Sequence, residues 1–311
     1  MTPQDTLLRP PALRPGDTVR LVTPSGPPTP EKTAAGIALF ESWGLTVQVA
    51  PGLYDRLGYL AGDDDSRVTE LNDALRDDTV RGIFCARGGY GMSRIVDRVD
   101  FAAARRDPKP VVGYSDITAL HSALYVHGVA SVAGPVVTTF ANDHDTETAE
   151  ALRRALMTTD PVTVRAIDGE ATIALTSGEG TVTGPLLGGN LSLIVDAIGT
   201  GTLPDYTDAI LFMEEVNEEP YRADRILTQL LRSGVFDGVA GLALGQFTGC
   251  EDDDWDWDIL DVLRDRLEPL NIPILGGLPI GHGDNPRTVP FGPTATLDLT
   301  TKTLTATPAV S

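Results

Sequence analysis

Apolar and polar positions alternate along the first half of the chain in two rhythms. Short apolar runs, TVRLVTPSG from 18, LTVQVAP from 45, VRGIFCARGG from 80 and KPVVGYS from 109, read as strands running out into turns. Between them helical spacing recurs at 30–43, at 64–77 with Val68, Leu71 and Leu75 on one face, and at 116–127. Strands that alternate with helices predict a mainly parallel sheet with helices on both faces. Ligands gather at the carboxyl ends of the strands in such sheets, and ARGG and GYSD both fall at such ends.

The pattern weakens from about 141 to 177. ANDHDTETAEALRRALM, from 141, reads as an exposed helix, and the stretch from 158 to 180 has the short β-like runs of a connection. A second regular region follows. TVTGPLLGGN leads into a helix over 190–198, AILFMEEV is a strand, 220–233 and 256–268 are helical, and VAGLALGQF is a strand between them. IPILGGLPIGH comes next, and TATLDLTTKTLTATP, from 294, alternates like an edge hairpin. The expected fold is α/β in two domains. Residues 1–150 form an N-terminal, mainly parallel sheet flanked by helices, 151–177 connect, and 178–311 form a smaller C-terminal α/β domain with a mixed sheet. Any site is expected in the cleft between them.

Composition narrows the class. The chain has 311 residues, 41% hydrophobic and 22% charged, as in globular proteins with ordinary cores. No early stretch reads as a signal peptide and no window approaches the ~20 apolar residues of a membrane span, so a cytoplasmic protein is expected. Cys85 and Cys250 read as reduced packing residues. The formal charge of −20 argues against nucleic acid and anionic membranes as partners. It also repels an anionic substrate unless the site carries local positive charge. Only three lysines occur, Lys32, Lys109 and Lys302.

Ser115, in VVGYSDITALH, stands where a strand hands over to a helix. The turn reads first as an ordinary helix cap, with an elbow exposing a nucleophile as the alternative. A hydroxyl nucleophile needs a base and a group that orients the base. Of four histidines, His121 lies on the following helix, His127 at its end and His144 in an acidic loop. His282 lies in LPIGHGDNP between two glycines just past an apolar run, which suits a base projecting into a cleft. Glu214 and Glu215 end the strand AILFMEEV, where alternation sends one toward the sheet face and the other away. Asp116, after the nucleophile, and Gly88 and Gly89 of ARGGYG offer backbone N–H groups for an oxyanion hole. CEDDDWDWD, from 250, fails the calcium-loop spacing and reads as an acidic helix start over two tryptophans. No metal or cofactor is expected.

Taken together, RPGDTVRLVTPSGPP, YLAGDDDSRVTELNDAL, FCARGGYG, KPVVGYSDITALH, GPLLGGNLSLI, LFMEEVNEEPYRADR and LPIGHGDN resemble the LD-carboxypeptidase family of serine peptidases, which includes the microcin C self-immunity hydrolases. The resemblance covers nearly the whole chain in order. It implies a Ser-Glu-His triad with Ser115 as nucleophile, His282 as base and Glu214 as orienting acid, Glu215 being second choice. It implies an oxyanion hole at Asp116 and Gly88 or Gly89, two α/β domains sharing the triad, and a homodimer. Its leading substrate is the murein tetrapeptide, which loses a terminal D-Ala; the alternative is a microcin-like peptidyl-nucleotide. Family hydrolases of the nucleotide type stack the base on an aromatic side chain of a connecting loop, and residues 141–200 contain no Trp, Tyr or Phe. Trp255 and Trp257 lie elsewhere. Many of the carboxypeptidases read His-Gly-Pro where this chain has VAGPVV, with Ala133 in place of the histidine. From residues alone, a non-catalytic binding protein is the reading of another class. Arg87 beside the glycine pair is a cation without an assigned role.

Overall fold

The computed structural model describes residues 7–141, 146–251 and 256–311. Its first half holds the strands β1 (Thr18–Val22), β2 (Thr46–Val49), β3 (Val80–Cys85), β4 (Val111–Gly113) and β5 (Ser131–Ala133). With them run the helices α1 (Pro30–Ser42), α2 (Asp64–Arg76), α3 (Phe101–Arg106), α4 (Thr118–Val126) and α5 (Thr146–Met157). The five strands are parallel, in the order β5-β4-β3-β1-β2.

Both faces of this sheet are covered, which is why its strands read as continuous apolar runs. Val22, Ile83, Cys85 and Val111 face one core with Leu71 and Leu75 of α2 and Leu120 and Leu124 of α4. Val19, Leu21, Phe84 and Val112 face the other with Phe40 of α1. Polar residues set the helix starts: Thr29 caps α1 ahead of Pro30, and the Asp63 carboxylate accepts the Ser66 N–H at 2.7 Å to cap α2.

The second sheet has seven strands. β7 (Thr181–Asn190), β8 (Ile210–Val216), β9 (Gly241–Thr248) and β10 (Ile274–Leu275) form a parallel block. β12 (Thr294–Asp298), β13 (Thr303–Ala306) and β6 (Val162–Arg165) continue it antiparallel beyond β7. The helices α6 (Leu191–Asp196), α7 (Pro220–Arg232) and α8 (Ile259–Leu267) belong to this half. The start of α8 keeps a capping box between Asp258 and Asp261.

Three placements depart from the sequence reading. The helix expected to be exposed is amphipathic and docked, with Leu152, Ala155 and Leu156 of α5 buried in the first sheet's core. The hairpin expected at an edge lies inside its sheet, because β6 pairs outside it and takes the edge position. β11 (Val289–Phe291), well inside the C-terminal stretch, crosses back and pairs antiparallel with β5 on the first sheet. Pro290 at its centre has no N–H to offer, which suits an edge strand. This return clamps the two halves together, and the cleft between them is where the singled-out residues meet.

Candidate active site

β4 ends at Gly113, and the chain turns through a 3-10 segment, Ser115–Ile117, into α4. Ser115 has φ +65°, a left-handed conformation that non-glycine residues adopt at a cost. A helix cap does not require that conformation, whereas a sharp elbow that lifts a side chain clear of the sheet does.

The surroundings hold this bend. Buried Asp116 accepts hydrogen bonds from Ser25 Oγ at 2.5 Å and from the Met92 N–H at 2.8 Å. Burial pushes its carboxyl pKa up, against those two bonds. The fully buried Arg67 guanidinium donates to the carbonyls of Pro24 and Gly91, the latter at 2.8 Å, and pairs with Asp64. Arg67 and Asp116 thereby fasten the 24–26 and 88–92 loops to the elbow. Beneath it His121 Nε2–H donates to Gly113 O and Nδ1 accepts from Ser131 Oγ, both at 2.8 Å. Burial lowers the His121 pKa to about 4, so that ring stays neutral and braces the end of β4.

Gly88 and Gly89 lie across from Ser115 in one cleft, which Arg87, Tyr114, Thr138, Thr139 and His282 also line. A Cβ at Gly88 would sit 2.8 Å from Ser115 Cβ and 3.0 Å from its Oγ, so only glycine fits there. The Gly88 carbonyl accepts from the Gly26 N–H at 3.0 Å, while the N–H groups of Gly88 and Gly89 have no hydrogen-bond partner among the described residues. Two free donors beside a hydroxyl are what an oxyanion requires.

β8 carries the two candidate acids. Opposite Met213 and Glu215 its register with β9 shifts, leaving Gly245 and Gln246 against Glu214 alone. Such bulges redirect side chains beside functional sites. Glu214, buried, reaches His282 Nδ1 with Oε2 at 2.6 Å. Glu215, equally buried, turns to the start of α6, where it accepts from Asn190 Nδ2, Ser192 N–H and Ser192 Oγ at 2.7–2.9 Å. Of the two acids it is Glu214 that meets the histidine.

His282 sits in a loop fixed from both sides. Gly281 has φ +127° and packs on Glu214, where a Cβ would come within 2.8 Å of the Glu214 side chain. The Gln246 side chain accepts from the Gly283 N–H at 3.0 Å. The Tyr114 ring lies 4.6 Å from the imidazole. With Nδ1–H donating to Glu214, Nε2 is the free basic position. No hydrogen bond joins it to Ser115 Oγ among the described residues; such bonds tighten when substrate arrives.

Residues 19–134 match the LD-carboxypeptidase N-terminal domain and residues 183–297 its C-terminal domain. The chain belongs to the LD-carboxypeptidase family. It is 41% identical to a putative carboxypeptidase of Streptomyces coelicolor, over 96% of each chain. It is 34% identical to a probable murein peptide carboxypeptidase of Bacillus subtilis, over 95% of this chain and 93% of that one. A murein tetrapeptide carboxypeptidase of Pseudomonas aeruginosa is 30% identical over 90% of this chain and 92% of its own. Among solved structures, the muramoyltetrapeptide carboxypeptidase of Oxalobacter formigenes superposes with a TM-score of 0.83 at 28% identity, over 93% of this chain and 97% of that one. The microcin C7 self-immunity protein superposes with a TM-score of 0.88 over 98% of this chain and 100% of that one; its 22% identity speaks for the fold.

This LD-carboxypeptidase is thus a serine-type carboxypeptidase on a two-sheet α/β fold, which sets aside the non-catalytic reading. His127 lies outside the cleft, stacked at 4.0 Å on Phe101 at the end of α4. His144 and Trp255 fall outside the described residues, and half-exposed Trp257 is not among those lining the cleft. Cys85 and Cys250 are buried free thiols, and burial pushes Cys250 up to about 11. Ala133 lines the wall behind Ser115. Among the described residues, no helix is long and apolar enough to cross a membrane. Arg67, Tyr114 and Gln246 were passed over in the sequence. A lone arginine inside a helical pattern and a glutamine ending an apolar strand were the signals.

Charge at His282 makes one testable statement. Burial presses its pKa down, but the Glu214 carboxylate, with Glu215 behind it, outweighs burial and the net shift is upward from 6.5. As the base proposed below, His282 works when neutral, and activity is then expected to fall as pH drops through the raised pKa. The acid limb of kcat/KM is expected above pH 6.5, and Glu214→Gln, which leaves burial without its counterweight, should move the limb below that value. A limb that stays put in Glu214→Gln would contradict the pairing.

Proposed function

We propose that the enzyme is a metal-independent serine carboxypeptidase that hydrolyses the L,D-amide bond to the terminal D-Ala of murein tetrapeptides. In this reading Ser115 Oγ attacks the amide carbonyl while His282 Nε2 takes its proton. Glu214 holds Nδ1–H and stabilises the imidazolium. The oxyanion is received by the N–H groups of Asp116, Gly88 and Gly89. His282 then passes the proton to the leaving D-Ala nitrogen, and water, activated by the same ring, hydrolyses the acyl-enzyme.

The observation that carries the reading is the 2.6 Å contact of Glu214 with His282 Nδ1, in a cleft shared with a serine held at φ +65°. The substrate follows the relatives. The murein peptide carboxypeptidases of Bacillus subtilis, Pseudomonas aeruginosa and Oxalobacter formigenes resemble this chain at 28% to 34% identity over at least 90% of its length, whereas the microcin self-immunity protein stands at 22%. A cytoplasmic location, and the homodimer that the family resemblance implies, complete the proposal.

The test is to incubate the enzyme separately with murein tetrapeptide and with a glutamyl sulfamoyl nucleotide. Release of D-Ala from the first is the expected result. Cleavage of the nucleotide conjugate alone would assign the enzyme to the microcin-type reaction instead.

A further inference from the structure

A carboxypeptidase acts on a peptide whose free carboxylate lies one residue from the scissile bond. A formal charge of −20 opposes the approach of such an anion, so the site has to supply positive charge locally. Arg87 and Thr138 line the Ser115 cleft and at the same time form the wall of a second cavity of about 200 Å³. Lys32, from the first turn of α1, and Arg56, from the loop after β2, complete the cationic lining of that cavity, and no acid is among the described residues that line it.

These three cations are exposed and form no ion pair among the described residues; the Arg87 guanidinium donates only to Pro27 O, at 2.8 Å. Elsewhere in the first half several arginines are matched, Arg20 with Asp77, Arg76 with Asp100, Arg81 with Asp107 and Arg98 with Asp65, while Arg9, Arg14, Arg105 and Arg106 form no ion pair among the described residues and do not gather at one cavity. Acids outnumber Lys and Arg 44 to 24 in this chain. What sets Lys32, Arg56 and Arg87 apart is that all three line one cavity, which shares Arg87 and Thr138 with the catalytic cleft and has no acid among the described residues that line it.

We propose that Lys32, Arg56 and Arg87 form an anion subsite that holds a carboxylate of the peptide substrate while Ser115 attacks. The inference rests on the carboxypeptidase reading of the Ser115 cleft. A guanidinium and an ammonium facing a carboxylate make charge-assisted hydrogen bonds, the stronger kind. They would also draw the anion toward the cleft against the field of the rest of the molecule.

Binding is measured by calorimetry in a Ser115→Ala host, so that the peptide is not consumed. The probes are murein tetrapeptide and its C-terminal amide. Arg87→Gln in that host is expected to weaken binding of the tetrapeptide by about tenfold at low salt, with smaller losses in Lys32→Gln and Arg56→Gln. Added salt should shrink each difference. If the loss vanishes with the amide, the subsite holds the terminal carboxylate; if it persists, it holds a carboxylate elsewhere in the peptide. Either result supports the subsite. Binding within twofold of the host in all three variants would overturn it. Turnover in the Ser115→Ala host within about tenfold of the unsubstituted enzyme would instead count against the nucleophile, a separate failure.

Discussion

Ser115→Ala and His282→Ala are each expected to lower kcat/KM by on the order of 10⁴-fold or more, and the double variant to be no worse than the poorer single one. In the proposed mechanism the hydroxyl is a weak nucleophile without its base, and the base has nothing to activate without the hydroxyl. The two therefore contribute as one unit. The activity that survives should come from the backbone donors at Gly88 and Gly89 and from binding, which neither substitution touches. Ser115→Ala should leave stability nearly unchanged, since the strained φ of +65° remains enforced by Asp116 and Arg67 and costs alanine as much as serine. Additive losses in the double variant, measured by steady-state kinetics, would show that the two residues work independently.

Gly88→Ala carries the second large effect, and it separates space from backbone strain. Gly88 does not need the left-handed region, so alanine is tolerated by the backbone there, but its Cβ would press on Ser115 Cβ at 2.8 Å. Something must shift, and the elbow is the neighbour. A displacement near 1 Å at a nucleophile costs about 10²-fold, and a misaimed oxyanion donor costs as much again. A fall in kcat of about 10²-fold or more is expected, with the melting temperature nearly unchanged. Gly89→Ala is the contrast: its Cβ would meet nothing closer than Gly26 Cα at 3.6 Å, but its φ of +105° makes any side chain strained. That variant should lose stability first. Full activity in Gly88→Ala, read by D-Ala release, would remove Gly88 from the site.

Much of this was legible in the chain. Strand and helix periodicities located the parallel sheet, and strand ends pointed to ARGG and GYSD because a parallel sheet puts its turns on one side. Histidines are few enough that the glycine-flanked one stood out. The choice between Glu214 and Glu215 was not legible from alternation. β8 is buried on both faces, so both acids are inside, and the bulge against β9 redirects Glu214 in a way that period-2 reasoning cannot foresee. The return of β11 to the first sheet was also hidden. Three residues, Val-Pro-Phe, carry too little pattern to announce a long-range pairing. α5 was misread because its polar residues outnumber the few apolar ones, Leu152 and Leu156, that decide its docking. Arg67 shows the opposite limit: a charged residue is normally assigned to solvent, and the carbonyls of Pro24 and Gly91 together with the Asp64 carboxylate explain its burial.

The measurement that bears most directly on the account is covalent capture at the elbow. A fluorophosphonate probe requires a hydroxyl activated by a neighbouring base, and mass spectrometry of the digested adduct reports which residue carries it. A single adduct on Ser115, lost in Ser115→Ala and greatly slowed in His282→Ala, is the result this account predicts. An adduct on another residue, or a folded, active enzyme that resists the probe altogether, would contradict it.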